Sequence, residues 1–291
     1  MKFLKRISHI TVLFICCQSP FVFAGDDTYV DLDATLGLDN NVTRANYKSD
    51  IERDSFLSLE ANFNSEIFRG RSSLLTAHAL LAAEQFRTFR GLSNYSAGAD
   101  ATYTFAFSDG FGAPWFAVNA SYRVTQFDST LRDSNFAAGK LTMGKRIDDL
   151  TDMRVGVGAQ SRNSDSLVFD NRNTFGFANL DLTVGTRQTV YLTYRVQKGD
   201  TFSTSSDSNI SLAVIDAAGA ANQPDDVFIG KRSYRLDATT QMFTIGYNHG
   251  LDELRSYDLS VRYLRSKTNV DLEYQDITVR AGYFQRIGID L

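Results

Sequence analysis

The sequence predicts an all-β protein, a transmembrane up-and-down antiparallel β-barrel, from three observations. Hydrophobic and polar residues alternate along most of the chain after residue 28, which is the period of a strand with two different faces. The connections between these stretches alternate between short and long, as in an up-and-down barrel. The apolar phase contains no charged residue, although 22% of the chain is charged. A face in lipid excludes charge, and a closed sheet leaves no unpaired edge in the membrane.

The first 24 residues predict a secretory signal peptide that is separate from the fold. Three bases precede an apolar stretch over residues 10–17, and Val22-Phe23-Ala24 has small or modest side chains at the −3 and −1 positions of a cleavage site. Both cysteines of the chain lie within this segment. The sequence therefore predicts an exported protein with a signal peptide over residues 1–24 and one barrel domain over residues 25–291.

Twelve segments show the strand alternation. In the first, Val30, Leu32, Ala34, Leu36 and Leu38 share one face, while polar residues and glycine share the other. The remaining segments repeat this pattern. The twelve segments are residues 30–38, 57–63, 75–81, 95–107, 116–124, 137–143, 153–159, 178–184, 190–196, 243–247, 257–263 and 277–283.

The longest connection, residues 198–233, leaves an alternative strand count. Ile210, Leu212 and Val214 alternate there, so an extra hairpin would give fourteen strands. Twelve is the predicted count, and an even count places both chain ends on the periplasmic side with the short turns. Residues 234–242 carry apolar side chains in the opposite phase to the residues that follow, which indicates a bulge or a strand that continues beyond the membrane.

A soluble β-sandwich is the alternative all-β architecture, because its strands alternate as well. It would hide the apolar face in a dry core, and it would not need charge and glycine on the opposite face of nearly every strand. Its connections would not follow a short and long rhythm. The barrel therefore explains the pattern better than the sandwich.

Both ends of the predicted barrel resemble Gram-negative outer-membrane proteins. Residues 283–291, YFQRIGIDL, look like the terminal strand that the barrel assembly machinery reads, although such strands usually finish in an aromatic residue and this one finishes in leucine. Residues 37–42, GLDNNV, are similar to the first hairpin of the β-barrel porin group associated with exopolysaccharide export. The resemblance implies a porin-like protein of the cell outer membrane, with outer-membrane lipid, lipopolysaccharide and the assembly machinery as partners.

The polar phase predicts the lumen of the barrel, and its charges are segregated. The first four strands place acids there, whereas the later strands place mainly bases. Opposed charged walls create a transverse field that favours small hydrophilic solutes, so the predicted function is a passive channel for them. The predicted pore-lining residues are Asp31, Asp33, Glu60, Asp100, Arg123, Arg154, Arg195, Arg262 and Arg280.

The same charges allow a closed lumen as an alternative. Closure of the barrel brings the last strand beside the first, where Arg280 or Arg286 can pair with Asp31 or Asp33. Twelve strands lie between eight, whose side chains can fill the interior, and sixteen, which leave a channel.

Two further functions stay open at the level of the sequence. One is a non-channel accessory barrel in exopolysaccharide export or surface assembly. The other is a barrel lipid hydrolase, which would need a serine and an acid around His78. The sequence predicts no catalytic, cofactor-binding or metal site, and the net charge of −4 argues against a nucleic-acid partner.

Overall fold

The computed structural model describes residues 28–108 and 112–288, and it contains one closed antiparallel barrel of twelve strands with a short extra strand. The predicted signal peptide and the last three residues lie outside the described residues. The strands are β1 (Thr28–Asp39), β2 (Asp54–Arg69), β3 (Ser73–Phe86), β4 (Asn94–Ala106), β5 (Trp115–Phe127), β6 (Ser134–Arg146), β7 (Thr151–Ser164), β8 (Asn171–Gly185), β9 (Gln188–Ser206), β10 (Asn222–Pro224), β11 (Lys231–Gly250), β12 (Arg255–Thr268) and β13 (Glu273–Gly288).

Strands that follow one another in the sequence pair with each other, except β9 and β10, and two further pairings complete the ring. The strand β1 pairs with β13, and β9 pairs with β11, so β10 is left outside the barrel wall. Eleven of the twelve predicted segments lie entirely within a barrel strand, and the segment 95–107 extends one residue beyond β4. No helix among the described residues is long and apolar enough to cross a membrane.

The outer face of the barrel carries the predicted apolar phase. Leu36 is 64% exposed, Leu59 is 50% exposed and Val118 is 52% exposed, and many other large apolar side chains of that phase are exposed as well. An exposed belt of this kind is stable in hydrocarbon, where a charged replacement near the bilayer centre costs about 2–4 kcal/mol. The alternation in the sequence thus records which side chains face lipid.

Aromatic rings fill part of the inside, where glycines leave room for them. A Cβ atom added to the inward-facing Gly37 would lie 2.1 Å from the ring of Phe56. The same distance separates such an atom at Gly246 from the ring of Tyr191. These rings therefore lie directly over the neighbouring strand, which a larger residue than glycine would prevent.

The connection between β9 and β11 contains a short helix, so the fourteen-strand alternative is wrong. The helix α1 spans Leu212–Ala218, and β10 follows it. Val214 and Ala218 are buried in its packed face, and Ile210 packs against the same cluster, whereas Leu212 is 78% exposed. The three packed residues are four positions apart, which is a helical spacing that also satisfies a two-residue alternation over a short stretch.

The phase change before residue 243 marks a strand that continues beyond the membrane. The strand β11 has 20 residues and pairs with β9 without a register shift, so no bulge is present. Tyr234 and Leu236 lie on its inward phase and are buried under α1. Their apolar side chains belong to a small core outside the lipid, where the rule for lumen-facing residues no longer applies.

Candidate functional site

A cavity of about 580 Å³ lies in the lumen between the β1–β3 wall and the wall of β9 and β11–β13. Five carboxylates line it, together with polar side chains, three aromatic rings, one histidine and one arginine. The carboxylates belong to Asp31, Asp33, Glu60, Glu84 and Asp258. Three of the predicted acidic pore-lining residues therefore meet in one water-accessible space.

Asp31 is the acid that joins the two ends of the chain. The Arg286 side chain donates two hydrogen bonds to its carboxylate, at 2.8 Å and 3.1 Å. The two residues face each other in the register of β1 and β13. This confirms the expectation that closure would pair the last strand with an acid of the first.

The other predicted acids of this wall have neutral partners. The Thr35 hydroxyl donates to Asp33 at 2.7 Å, and the Asn62 amide donates to Glu60 at 2.8 Å. Among the described residues, neither acid has a cation within ion-pair distance. Their charges consequently face the cavity.

Asp100 lies beside the only histidine on the cavity wall. Its Oδ1 is 3.1 Å from His78 Nδ1, and the Asn119 amide donates to the same oxygen at 2.9 Å. The acid that a hydrolase would need is thus present. No serine hydroxyl in the described part of the chain hydrogen-bonds to His78, so a serine, histidine and acid arrangement is not assembled around it.

Two of the predicted bases are held in ion pairs on the lumen wall. Arg154 of β7 pairs with Asp181 of β8. Arg262 of β12 donates to Asp276 at 3.3 Å and to the Thr278 hydroxyl at 2.7 Å. These pairs tie neighbouring strands together and cancel much of each other's field.

The other three predicted bases have no carboxylate partner among residues 28–108 and 112–288. The Arg195 guanidinium lies 3.8 Å from the centre of the Phe175 ring and donates to Gln160 at 2.7 Å. Arg123 points into the lumen from β5 and is exposed there. Arg280 lines the acidic cavity from β13, so the structure places this base beside the acids rather than on the opposite wall.

Two arginines near the lumen were missing from the sequence prediction. Arg162 continues the inward phase of Arg154 along β7, so the alternation contained the signal beyond the end of the predicted segment. Glu84 and Asp258 lie on the inward phase that the sequence predicts, and the structure places both on the cavity wall. Arg44 lies in the loop between β1 and β2, where no periodic pattern could have revealed it.

The long loops interlock over one side of the outer mouth through Arg132. Its guanidinium is 5% exposed, and it pairs with Asp225 at 2.7 Å and with Asp226 at 2.9 Å. It also lies 4.1 Å from the centre of the Phe169 ring. We call residues 225–228 and 128–133, together with the loop 165–170 that packs against Arg132, the mouth cap.

The ion pair with Arg132 keeps the Asp225 carboxyl of the mouth cap deprotonated. Burial alone raises the pKa of the Asp225 carboxyl, but the Arg132 guanidinium and the Ser233 hydroxyl outweigh it, so that pKa lies below its usual value. The carboxylate is therefore charged at neutral pH, as the ion pair requires.

The loop between β1 and β2 is fastened to the end of β9 and the start of β11, next to the mouth cap. The Ser206 hydroxyl and the Asn209 amide donate to the Asp50 carboxylate at 2.5 Å and 2.8 Å. Burial raises the pKa of Asp50, yet these hydrogen bonds lower it more, and the net shift is downward. The Lys231 ammonium donates to Glu52 in the same loop at 2.5 Å.

A closed barrel with an apolar outside and a charged lumen defines a transmembrane β-barrel of the outer-membrane type. An outer-membrane channel from Pseudomonas putida F1 shares the fold with a TM-score of 0.60, at 8% identity over 92% of this chain and 99% of that one. The NanC porin is similar with a TM-score of 0.45, at 7% identity over 89% and 100%.

No protein-family model matches the sequence, and no curated protein matches it. The likeness to the first hairpin of the exopolysaccharide-associated porin group therefore stays a prediction. The residues that the structure describes include no group of three or more His, Cys, Asp or Glu side chains that could hold a metal ion.

Proposed function

We propose that this protein is an outer-membrane channel for the passive passage of small hydrophilic solutes. The observation that carries the proposal is the water-accessible cavity in the lumen, whose charged side chains are largely free of ion-pair partners. A lumen built to be solid would pair these charges with each other, because an unpaired buried charge is costly. A channel with the same fold in Pseudomonas putida F1 is consistent with this function.

The two walls of the lumen would give the channel its selectivity. Asp33 and Glu60 stand on one side without a cation, while Arg123 and Lys140 stand on the other without a carboxylate in the described residues. Opposed charges across a narrow passage orient water and dipolar solutes, and they act strongly where the surrounding dielectric is low. The predicted pore-lining set of nine residues is therefore proposed with Glu84, Asp258, Lys140 and Arg162 added.

Single-channel recording tests the proposal. The mature chain, purified and refolded, is expected to give discrete conductance steps in a planar lipid bilayer. Slower migration of the heated sample than of the unheated sample on a gel would establish that the barrel has folded. Absence of steps from folded wild-type protein and from a variant with an opened mouth, Arg132→Ala, would contradict the channel.

The interlocked loops favour a second candidate function, an accessory barrel in polysaccharide export or surface assembly. A mouth held by buried ion pairs is suited to docking rather than to rapid flow. Steps from Arg132→Ala but never from the wild type would support this candidate. Loss of biofilm matrix on deletion of the gene, restored by the intact gene, would support it independently.

The partners and the processing of the chain belong to the same proposal. The apolar belt would contact outer-membrane lipid and lipopolysaccharide, and the final strand β13 would be read by the barrel assembly machinery. Residues 1–24 would be removed as a signal peptide on export. The protein is proposed to be a non-enzyme, with no cofactor.

A further inference from the structure

Two arginines stand in one row across the basic wall, near the end with the long loops. In the strand register Arg123 of β5 faces Phe136 of β6, and Phe136 faces Arg162 of β7. All three side chains therefore point into the lumen at the same height, since directly paired residues share a face of the sheet. The phenyl ring separates the two guanidinium groups, whose strands are about 10 Å apart by ordinary strand spacing.

A third arginine reaches this row from the loop between β1 and β2. The Ser203 hydroxyl of β9 donates to the Arg44 carbonyl oxygen at 2.7 Å, which fixes the backbone of the loop across the mouth. The Arg44 guanidinium lies 4.3 Å from the centre of the Phe202 ring. Arg162 is within electrostatic range of both Arg44 and Arg123.

Like Arg195 and Arg280, the three arginines lack a carboxylate partner, but unlike those two they lie within electrostatic range of one another. Within the described ranges, no acid lies at ion-pair distance from Arg44, Arg123 or Arg162. Asp276 is within electrostatic range of Arg44, but its ion pair is with Arg262. Three like charges repel each other, so their placement in one row costs free energy unless an anion relieves it.

We propose that Arg44, Arg123 and Arg162 form a binding site for organic anions that carry two or more carboxylate or phosphate groups. Guanidinium groups bind such oxygens through paired hydrogen bonds. Two separated guanidinium groups therefore bind a ligand with two separated charges more tightly than a ligand with one. A monoanion engages one of them at a time. This inference rests on the proposed function in one respect, that the solute enters from the outer mouth. It names the chemical class of solute that binds to the basic wall.

The probe for this site is citrate, with acetate as the monovalent comparison. Calorimetric titration of the refolded full barrel in detergent is expected to show saturable citrate binding, weakened by added salt, and acetate binding at least about tenfold weaker. The double variant Arg123→Gln with Arg162→Gln is expected to bind citrate at least about tenfold more weakly than the wild type.

The matched control is Lys140→Gln, which removes an unpaired base from the same wall but outside the row. It is expected to bind citrate within about threefold of the wild type, because only the general potential changes. Equal affinity of the double variant and the control would overturn the site, as would equal affinity for acetate and citrate. Each variant is first checked for heat-modifiable migration, and the comparison of citrate with acetate on the wild type needs no variant.

The binding measurement separates this inference from the channel itself. Citrate binding without single-channel steps would remove the channel and keep the anion site. Steps that citrate leaves unblocked, together with no calorimetric binding, would keep the channel and overturn the anion site.

Discussion

The wall formed by β1–β3 and the wall formed by β5–β9 treat their charges differently. On the first wall the free acids, such as Asp33 and Glu60, are held by neutral donors and share one cavity with Arg280. On the second wall the free bases stand in a row or lie against rings, as Arg195 lies against Phe175. Paired charges, in contrast, occur at strand seams and in the mouth cap. The difference teaches that ion pairs hold this barrel together, while unpaired charges create the field inside it.

The largest effect is expected from Arg132→Ala, which removes the cation from the mouth cap. Asp225 would then be left buried without its partner, and the loss of one member of a buried pair costs about 3–5 kcal/mol. The loops would separate, and the single-channel conductance is expected to rise several-fold in planar bilayers. The control Arg255→Ala removes an exposed base at the short-turn end and is expected to leave the conductance unchanged. Equal conductance of wild type and Arg132→Ala would show that the cap does not restrict the mouth.

Acid is expected to loosen the mouth cap by the same route. The pKa of the Asp225 carboxyl is lowered from 3.8, so its contribution to stability is fully present above that ordinary value and is lost as the pH falls through the lower, folded value. Conductance is therefore expected to stay constant between about pH 5 and pH 8 and to rise only below about pH 4. A rise centred near pH 6 would belong to another group and contradict the role of this carboxyl.

Variants of Asp31 and Asp33, two acids of β1, distinguish a charge that stabilises the barrel from a charge that acts on the solute. Asp31→Asn weakens the pair with Arg286 at the seam, and it is expected to lower the free energy of unfolding by about 1 kcal/mol, because Arg286 is partly exposed. Asp33→Asn breaks no ion pair and is expected to change the reversal potential in a salt gradient with little change in stability. Urea unfolding of both variants in liposomes measures the first effect. A lower free energy of unfolding for Asp33→Asn than for Asp31→Asn would contradict the assignment of Asp31 as the stabilising acid.

The smallest effect is expected from His78→Ala. The histidine has Asp100 beside it, and no serine of residues 28–108 and 112–288 hydrogen-bonds to it, so removing it should leave the lipid profile of expressing cells unchanged. Release of fatty acids by the wild type, with loss of that release in the variant, would instead establish a hydrolase.

The sequence predicts the barrel well because lipid imposes one simple rule on every strand. A charge such as a lysine in place of Leu141 would be costly on the outer face. The sequence alone therefore shows which residues of each strand face lipid. The same phase predicts the nine pore-lining residues, and it would also have found Arg162 had the seventh segment been extended.

The ion pairs among the lumen charges cannot be predicted from the alternation of the sequence. Whether Arg154 finds Asp181 depends on the register of β7 against β8 and on side-chain reach, which alternation does not encode. The loops are harder still, because Arg44 and Arg132 obtain their positions from contacts with distant strands and loops. The helix α1 was missed because its packed residues are spaced evenly enough to imitate a strand.

The reversal potential in a potassium chloride gradient tests the charged walls most directly. We expect Asp33→Asn with Glu60→Gln to shift the preference toward chloride, and Arg123→Gln with Lys140→Gln to shift it toward potassium, because each pair removes the field of one wall. Opposite shifts of the two double variants relative to the wild type are the predicted result. Unchanged potentials, or shifts in the same direction, would contradict a lumen with opposed charged walls.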